Sequence, residues 1–148
     1  MYRRLPILLA TALAACGSSG SGGEAKLPGD TGDTAPYDGI AENERVYFTG
    51  TEPFWGGDVH NGSLIWSTPE NVDGEVIAVD RFAGRGGLSF SGALAGEAFV
   101  MTVTPSACSD GMSDRSYPYA TTVNLGERTL EGCAWTDSDP YSAGEEPS

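Results

Sequence analysis

The chain has 148 residues, and its eight basic and 21 acidic side chains leave a formal net charge of −13 at pH 7. Phosphate groups repel such an acidic surface, so nucleic acid and anionic lipid surfaces are excluded as expected partners. A basic protein is the macromolecule that this charge would attract. The alternative is that the acidic surface only keeps the protein soluble.

Residues 1–15 have the features of an export signal. Arg3 and Arg4 provide a positive start, an apolar run follows over residues 5–13, and small residues come next. The run is about half of the ~20 apolar residues that a membrane-spanning helix needs. Its end, LAAC, resembles the lipobox of bacterial lipoproteins, which are cleaved before the cysteine and acylated on it.

The lipobox resemblance implies that Cys16 carries diacylglycerol and a further acyl chain such as palmitate, and so anchors the protein to a membrane. Two or three chains hold a protein stably, at about 0.8 kcal/mol for each buried CH₂. Gly17 follows the cysteine, which by resemblance to enterobacterial lipoproteins implies the outer membrane, facing the periplasm. The alternative is an ordinary secretory signal with a chance cysteine.

Residues 16–43 are predicted to form a flexible tether, because they are rich in Gly, Ser and Asp and poor in large apolar side chains. The tail over residues 137–148 is similarly polar and is predicted to be disordered. Residues 44–136 remain as one small domain, with five arginines against 12 acidic residues and hence a net charge of −7.

A domain of this size is expected to need a covalent cross-link. Cys108 and Cys133 can form a disulfide in an oxidising compartment. Zinc binding by the two thiols is the alternative, but no second Cys or His pair has the spacing to complete a site.

Large apolar residues recur at every second position through most of the domain, for example at Phe99, Met101 and Val103 and at Val123 and Leu125. The apolar segment Val76–Val79 lies between turn residues. Gly-containing turns, among them His60–Ser63 and Asp73-Gly74, separate these segments. The pattern predicts an all-β fold, a small antiparallel barrel or sandwich of seven or eight strands. One short helical turn is predicted at Ser109–Ser113, capped by Ser109 or Asp110.

Two stretches, TGTEPFW at residues 49–55 and CSDGMSDRSYP at residues 108–118, occur together with LEGCA at residues 130–134. These motifs resemble a family of uncharacterised bacterial membrane-associated lipoproteins that carry GTEPFW and CSDGMSDxxYP segments and a later LxGCA. The resemblance covers the whole predicted domain. It implies a small β-rich envelope domain and no particular activity.

Aromatic residues form the first candidate binding site. Trp55, Trp66 and Tyr117 could stack against a glycan or a protein partner, with Glu52 and Phe54 beside them. The competing interpretation is that Pro-Phe-Trp plugs one end of a small barrel. Exposure of Trp55 would favour binding.

Acidic residues near Cys108 form the second candidate. Asp110 and Asp114 could approach one cation, but Ca²⁺ needs six to eight ligands, so no metal site is predicted. The structural interpretation has Asp110 capping a turn and Asp114 pairing with Arg115 or Arg128. Arg115 is retained as a possible ligand-binding residue.

Catalysis is not predicted, and no cofactor is expected. His60 is the single histidine, and it lies in a predicted turn without a nucleophile motif nearby. The sequence therefore favours a non-enzymatic, lipid-anchored envelope lipoprotein that binds a ligand or partner. The alternatives are an inhibitor of a basic lysozyme-type hydrolase and, third, a small hydrolase.

Overall fold

The computed structural model describes residues 35–144, which form an all-β structure without a helix. Cys16 and its lipobox lie outside the described residues. Residues 35–144 contain no helix that is long and apolar enough to cross a membrane. The eight strands are β1 (Val46–Thr51), β2 (Phe54–His60), β3 (Ser63–Thr68), β4 (Asn71–Ala83), β5 (Leu88–Leu94), β6 (Glu97–Cys108), β7 (Tyr117–Leu125) and β8 (Arg128–Thr136).

The strands form a closed antiparallel barrel in which each strand pairs with the next and β8 pairs with β1. The barrel, rather than the sandwich, is therefore the observed form of the predicted all-β fold. Closure leaves neither the first nor the last strand as a free edge of the sheet. The seam between β1 and β8 is short: it runs from the pair Val46–Thr136 to the pair Thr49–Cys133.

Most turns lie where the sequence predicts them, but one does not. Asn61 and Gly62 have φ values of 49° and 76°, as a tight turn between β2 and β3 requires. Asp73-Gly74, predicted as a turn, instead lies inside β4. The chain reverses earlier, between Thr68 and Asn71, where the β3–β4 register shifts.

Side chains that point inward build the core, and the largest fully buried ones include Phe48, Phe99, Leu64 and Met101. Each lies on the inward parity of its strand, as a period of two requires. An eight-stranded barrel has an interior that side chains can just fill or that can hold one small ligand.

Residues before β1 close one end of the barrel. Ile40 is 1% exposed within the core. Arg81 donates a hydrogen bond to the carbonyl of Ile40 at 2.9 Å, and the amide of Tyr37 donates to the carbonyl of Gly84 at 2.7 Å. The folded domain thus begins before residue 44, and the predicted tether boundary is corrected. We call this end, with the β2–β3 and β4–β5 turns, the closed end.

The segment after β8 is also ordered as far as the structure describes it. Ser142 pairs with Ser116 as an antiparallel bridge, and Tyr141 packs edge-on against Trp135 with ring centroids 5.4 Å apart. The predicted loose tail is therefore wrong for these residues, because Tyr141 provides an apolar surface that the barrel's outer aromatic side chains cover.

The disulfide predicted between Cys108 and Cys133 is present. Cys133 lies on the outward parity of β8, next to the inward Ala134, so the bond fastens the β6–β7 loop to the outer face of the barrel. The chain-entropy model gives such a loop of 25 residues a stabilisation of about 3–3.5 kcal/mol.

Ile40→Ala should lower the free energy of unfolding by about 2–4 kcal/mol, because it removes a fully buried side chain and leaves a cavity. Urea unfolding of the full chain measures this. Val76→Ala is the control, since Val76 is 65% exposed and its truncation should change stability by less than about 0.5 kcal/mol. Equal stability of the two variants would contradict the role of Ile40 in closing the barrel.

Candidate ligand-binding site at the open end of the barrel

A cavity of about 1040 Å³ opens at the end of the barrel opposite Ile40. Four hairpins surround it: β1–β2, β3–β4, β5–β6 and β7–β8. We call this end the mouth. Ligand pockets in proteins commonly enclose roughly 300–1,000 Å³, so the volume suits a small molecule.

Stacked aromatic rings form the floor of the mouth. Trp55 and Trp66 lie with ring centroids 5.1 Å apart and planes inclined by 14°. The ring centroid of Phe48 lies 6.2 Å from that of Trp66. Phe99 packs edge-on against Trp66 with ring centroids 5.6 Å apart. These rings fill the barrel beneath the cavity, and their packing fixes the position of its floor.

Two glycines make room for the ring of Trp55. A Cβ atom at Gly50 or Gly132 would overlap the indole, so any larger residue at either position would displace it. The indole Nε1 is buried and has no hydrogen-bond partner among the described residues. Apolar packing therefore holds Trp55 in place, without a hydrogen bond from Nε1.

Apolar side chains also line the rim of the mouth, where water would otherwise favour polar ones. Phe54 is 52% exposed and Met112 is 68% exposed, and both line the cavity. Leu94, Leu125 and Leu130 form part of its wall. Exposed apolar side chains gathered around a concavity are typical of a binding site.

Charged residues stand around the same opening. Glu52, Glu70, Glu75 and Glu97 all line it, together with the single cation Arg128. The Arg128 Nη2 atom lies 3.5 Å from Glu97 Oε2, and this exposed pair contributes little to stability. The mouth is therefore an apolar cavity with a net negative rim.

The loop fastened by the disulfide reaches from the outer face to the mouth. Thr51 Oγ1 at the end of β1 donates a hydrogen bond to the carbonyl of Asp110 at 3.1 Å, and Met112 follows at the rim. The loop contains bends where the helical turn was predicted. That prediction is wrong because Gly111 has a φ of 71°, which lies outside the right-handed helical region.

Asp110 nevertheless caps this loop as predicted. Its Oδ1 accepts hydrogen bonds from the amides of Met112 and Ser113 at 2.9 and 2.8 Å, and its Oδ2 accepts one from the Tyr117 hydroxyl at 3.1 Å. These bonds, above all that from the Ser113 amide, hold the pKa of Asp110 well below its usual range.

The predicted site residues fall into two groups. Glu52, Phe54, Trp55 and Trp66 meet at the mouth. Asp110 and Tyr117 instead belong to the loop, where the Tyr117 ring packs against Trp135 and Tyr141 at 5.5 and 5.4 Å. The three-ring platform is therefore not assembled. Trp55 is only 4% exposed, which fits the plug interpretation, while Phe54 is the exposed ring.

Arg115 and Asp114 do not form the predicted ion pair. The Arg115 guanidinium carbon lies 4.5 Å above the Tyr141 ring centroid, a cation–π contact, and Arg128 contacts Glu97. Asp114 is exposed. Both therefore belong to the surface of the loop and the C-terminal segment, away from the mouth.

Sequence reasoning missed Met112, Arg128 and three of the four acidic rim residues, Glu70, Glu75 and Glu97. For Glu70, Glu97 and Arg128 the available signal was topological: in an up-and-down barrel, alternate hairpins meet at one end, so their tip residues form one rim.

The single histidine of the chain lies away from the mouth. His60 lies at the closed end, where its Nε2 atom is 3.1 Å from the carbonyl oxygen of Asn43. No group of three or more His, Cys, Asp or Glu side chains in this part of the chain is placed to hold a metal ion.

No protein-family model, curated protein or solved structure matches the chain. The motif resemblance to bacterial membrane-associated lipoproteins therefore stays a prediction.

Replacing Asp110 by Asn should make stability less sensitive to acid. A carboxyl whose pKa is lowered by folding stabilises the native state above its unfolded pKa of about 4, and this stabilisation is lost as the pH falls through the lower folded value. Wild type should therefore exceed Asp110→Asn in unfolding free energy at pH 7, and the difference should shrink below pH ~4.

Urea unfolding of both proteins across this pH range measures the difference. Asp80→Asn, which alters an exposed carboxylate on the outer face of β4, serves as the control. A difference between wild type and Asp110→Asn that stays constant with pH would contradict the assignment.

Proposed function

We propose that the chain is a non-enzymatic, lipid-anchored lipoprotein of the bacterial cell envelope whose barrel binds a small, largely apolar ligand in the mouth. The cavity of about 1040 Å³ with its exposed rim residues Phe54 and Met112 is the observation that carries the binding role. The lipobox-like end of the signal carries the anchoring role and, with Gly17, the assignment to the outer membrane facing the periplasm.

The two parts of the proposal fit one another physically. The first described residues lie at the closed end, at the opposite end of the barrel from the mouth. A ligand that enters the mouth would bury Phe54 and Met112, and the gain is about 25 cal/mol for each Å² of apolar surface.

A second candidate, inhibition of a basic lysozyme-type hydrolase, has one observation in its favour. The β3–β4 hairpin at the mouth exposes Glu70, Asp73 and Glu75 together, as a surface that receives a basic protein would. The open, largely apolar concavity beside this hairpin favours a small ligand, because a flat docking surface needs no such space. Loss of lysozyme activity on direct mixing would favour the inhibitor.

Acylation of Cys16 is tested by growing cells with a clickable fatty acid. Wild type should incorporate the label and partition with membranes, whereas Cys16→Ser should lose both properties, because the thiol that accepts the lipid is absent. Cys108→Ser/Cys133→Ser is the control, since it removes two other cysteines and should keep the label. Equal labelling of wild type and Cys16→Ser would rule out the lipoprotein assignment.

Ligand binding is tested with the neutral, environment-sensitive dye N-phenyl-1-naphthylamine and the full chain carrying Cys16→Ser, so that no acyl chain competes. We expect saturable binding with one dye per chain. Phe54→Ser should weaken it by about tenfold, since losing ~1.4 kcal/mol of buried apolar contact raises Kd by that factor.

Phe82→Ser is the matched control, because Phe82 is 67% exposed on β4 but does not line the cavity. The control should bind the dye as wild type does. Unsaturable binding, or equal losses in both variants, would argue against a site in the mouth.

A further inference from the structure

We propose that the mouth selects an organic cation with an apolar body, for which an alkylammonium amphiphile is the simplest representative. This inference rests on the proposed ligand-binding function and adds the chemical class of the ligand. The cavity and its apolar lining define the site, and the charges around it define which ligand it prefers.

The carboxylates come from three separate hairpins and face one opening. Glu52 belongs to the β1–β2 turn, Glu70 to the β3–β4 turn, and Glu97 begins β6. Glu75 is the cross-strand partner of Trp66, so its side chain shares the inward face of the sheet with that ring.

Among the described residues that line the rim, Arg128 is the only cation. It already lies beside Glu97. Among the described residues, Glu52, Glu70 and Glu75 form no ion pair. Three carboxylates therefore remain to act on whatever enters the cavity.

The wall of the cavity strengthens this preference. Apolar surfaces around Leu94, Leu125 and Leu130 keep the local dielectric low, so a charged rim acts more strongly there than on a flat surface. The ring of Phe54, which is half-exposed at the rim, presents π-electron density that attracts cations. An anionic amphiphile of equal length would gain the same apolar contact and would meet repulsion at the rim.

The preference is measured by displacing the neutral dye from the full chain carrying Cys16→Ser. Decyltrimethylammonium, decyl maltoside and decyl sulfate share one alkyl length and differ in headgroup charge, and each is used below its micelle concentration. We expect the cation to displace the dye at a concentration about tenfold or more below that of the anion, with the neutral compound between them. Added salt should narrow the gap.

Glu75→Gln tests the source of this preference. It should reduce the cation-to-anion ratio about threefold or more, because it removes the carboxylate paired across the strands with Trp66. The displacement measured for each variant is scaled to that variant's own affinity for the neutral dye. Asp80→Asn is the matched control: it removes the same charge from the same strand, but from the outer face and outside the cavity lining. It should leave the ratio as in wild type.

The outcomes separate the two proposals. Saturable dye binding with equal displacement by cation and anion, or with a preference for the anion, would overturn the cation selectivity and leave ligand binding intact. A ratio that falls equally in Glu75→Gln and Asp80→Asn would overturn it as well, since net charge alone would then be the cause. Absence of saturable dye binding would overturn the binding function itself and this inference with it.

Discussion

The seam between β1 and β8 is the contact on which the barrel depends. It joins the first and last strands over the residues from Val46 to Thr49, and without it two strand edges would open to solvent and to other chains. Beyond Thr49 the seam ends, while β1 continues beside β2 as far as Thr51. The disulfide-fastened loop covers this gap, and Thr51 bonds to Asp110 there.

The barrel therefore differs at its two ends. At the closed end, Ile40 fills the interior. At the mouth, the aromatic floor lies below the rim because Gly50 and Gly132 let the Trp55 ring lie against the backbone. The space above the floor is then a consequence of packing: large rings over glycines occupy the middle of the barrel and leave its end empty.

The mouth combines exposed apolar side chains with an acidic rim. Phe54 and Met112 place apolar surface where a ligand can cover it, and the acidic rim acts over a longer range on what approaches. Outside the cavity, the loop and C-terminal segment use the same residue types differently. There, Arg115, Tyr117 and Tyr141 satisfy one another, so aromatic and charged residues in proximity mark a binding surface only where something remains unpartnered.

Local patterns in the sequence were sufficient for the strands, the disulfide and most turns, because alternation, Asn-Gly pairs and cysteine count act over short distances. Ile40 was missed because one apolar residue in a polar stretch has no periodicity. Asp73-Gly74 has turn chemistry, but β4 runs through it as an irregularity, with a φ of 79° at Gly74. Asn71 and Glu75 pair with β3 on either side of it, so the local preference produces a register shift and no reversal.

The candidate site was only partly predictable for a related reason. Glu52, Phe54, Trp55 and Trp66 lie close along the chain or carry a conspicuous side chain. Glu97 and Arg128 reach the mouth through the order of hairpins around the barrel, which depends on closure. Tyr117 was grouped wrongly because its partner Tyr141 lies in a segment with too little apolar character to suggest order.

The segment that closes the barrel also determines how the domain bears mechanical load. If the chain is held through its N-terminus, tension reaches residues 36–44 first, where Ile40 and the bonds from Tyr37 and Arg81 resist it. The hairpins of the mouth lie at the far end of every strand and carry none of that force directly. A pull applied at residue 36 would thus loosen the segment around Ile40 before it deformed the mouth.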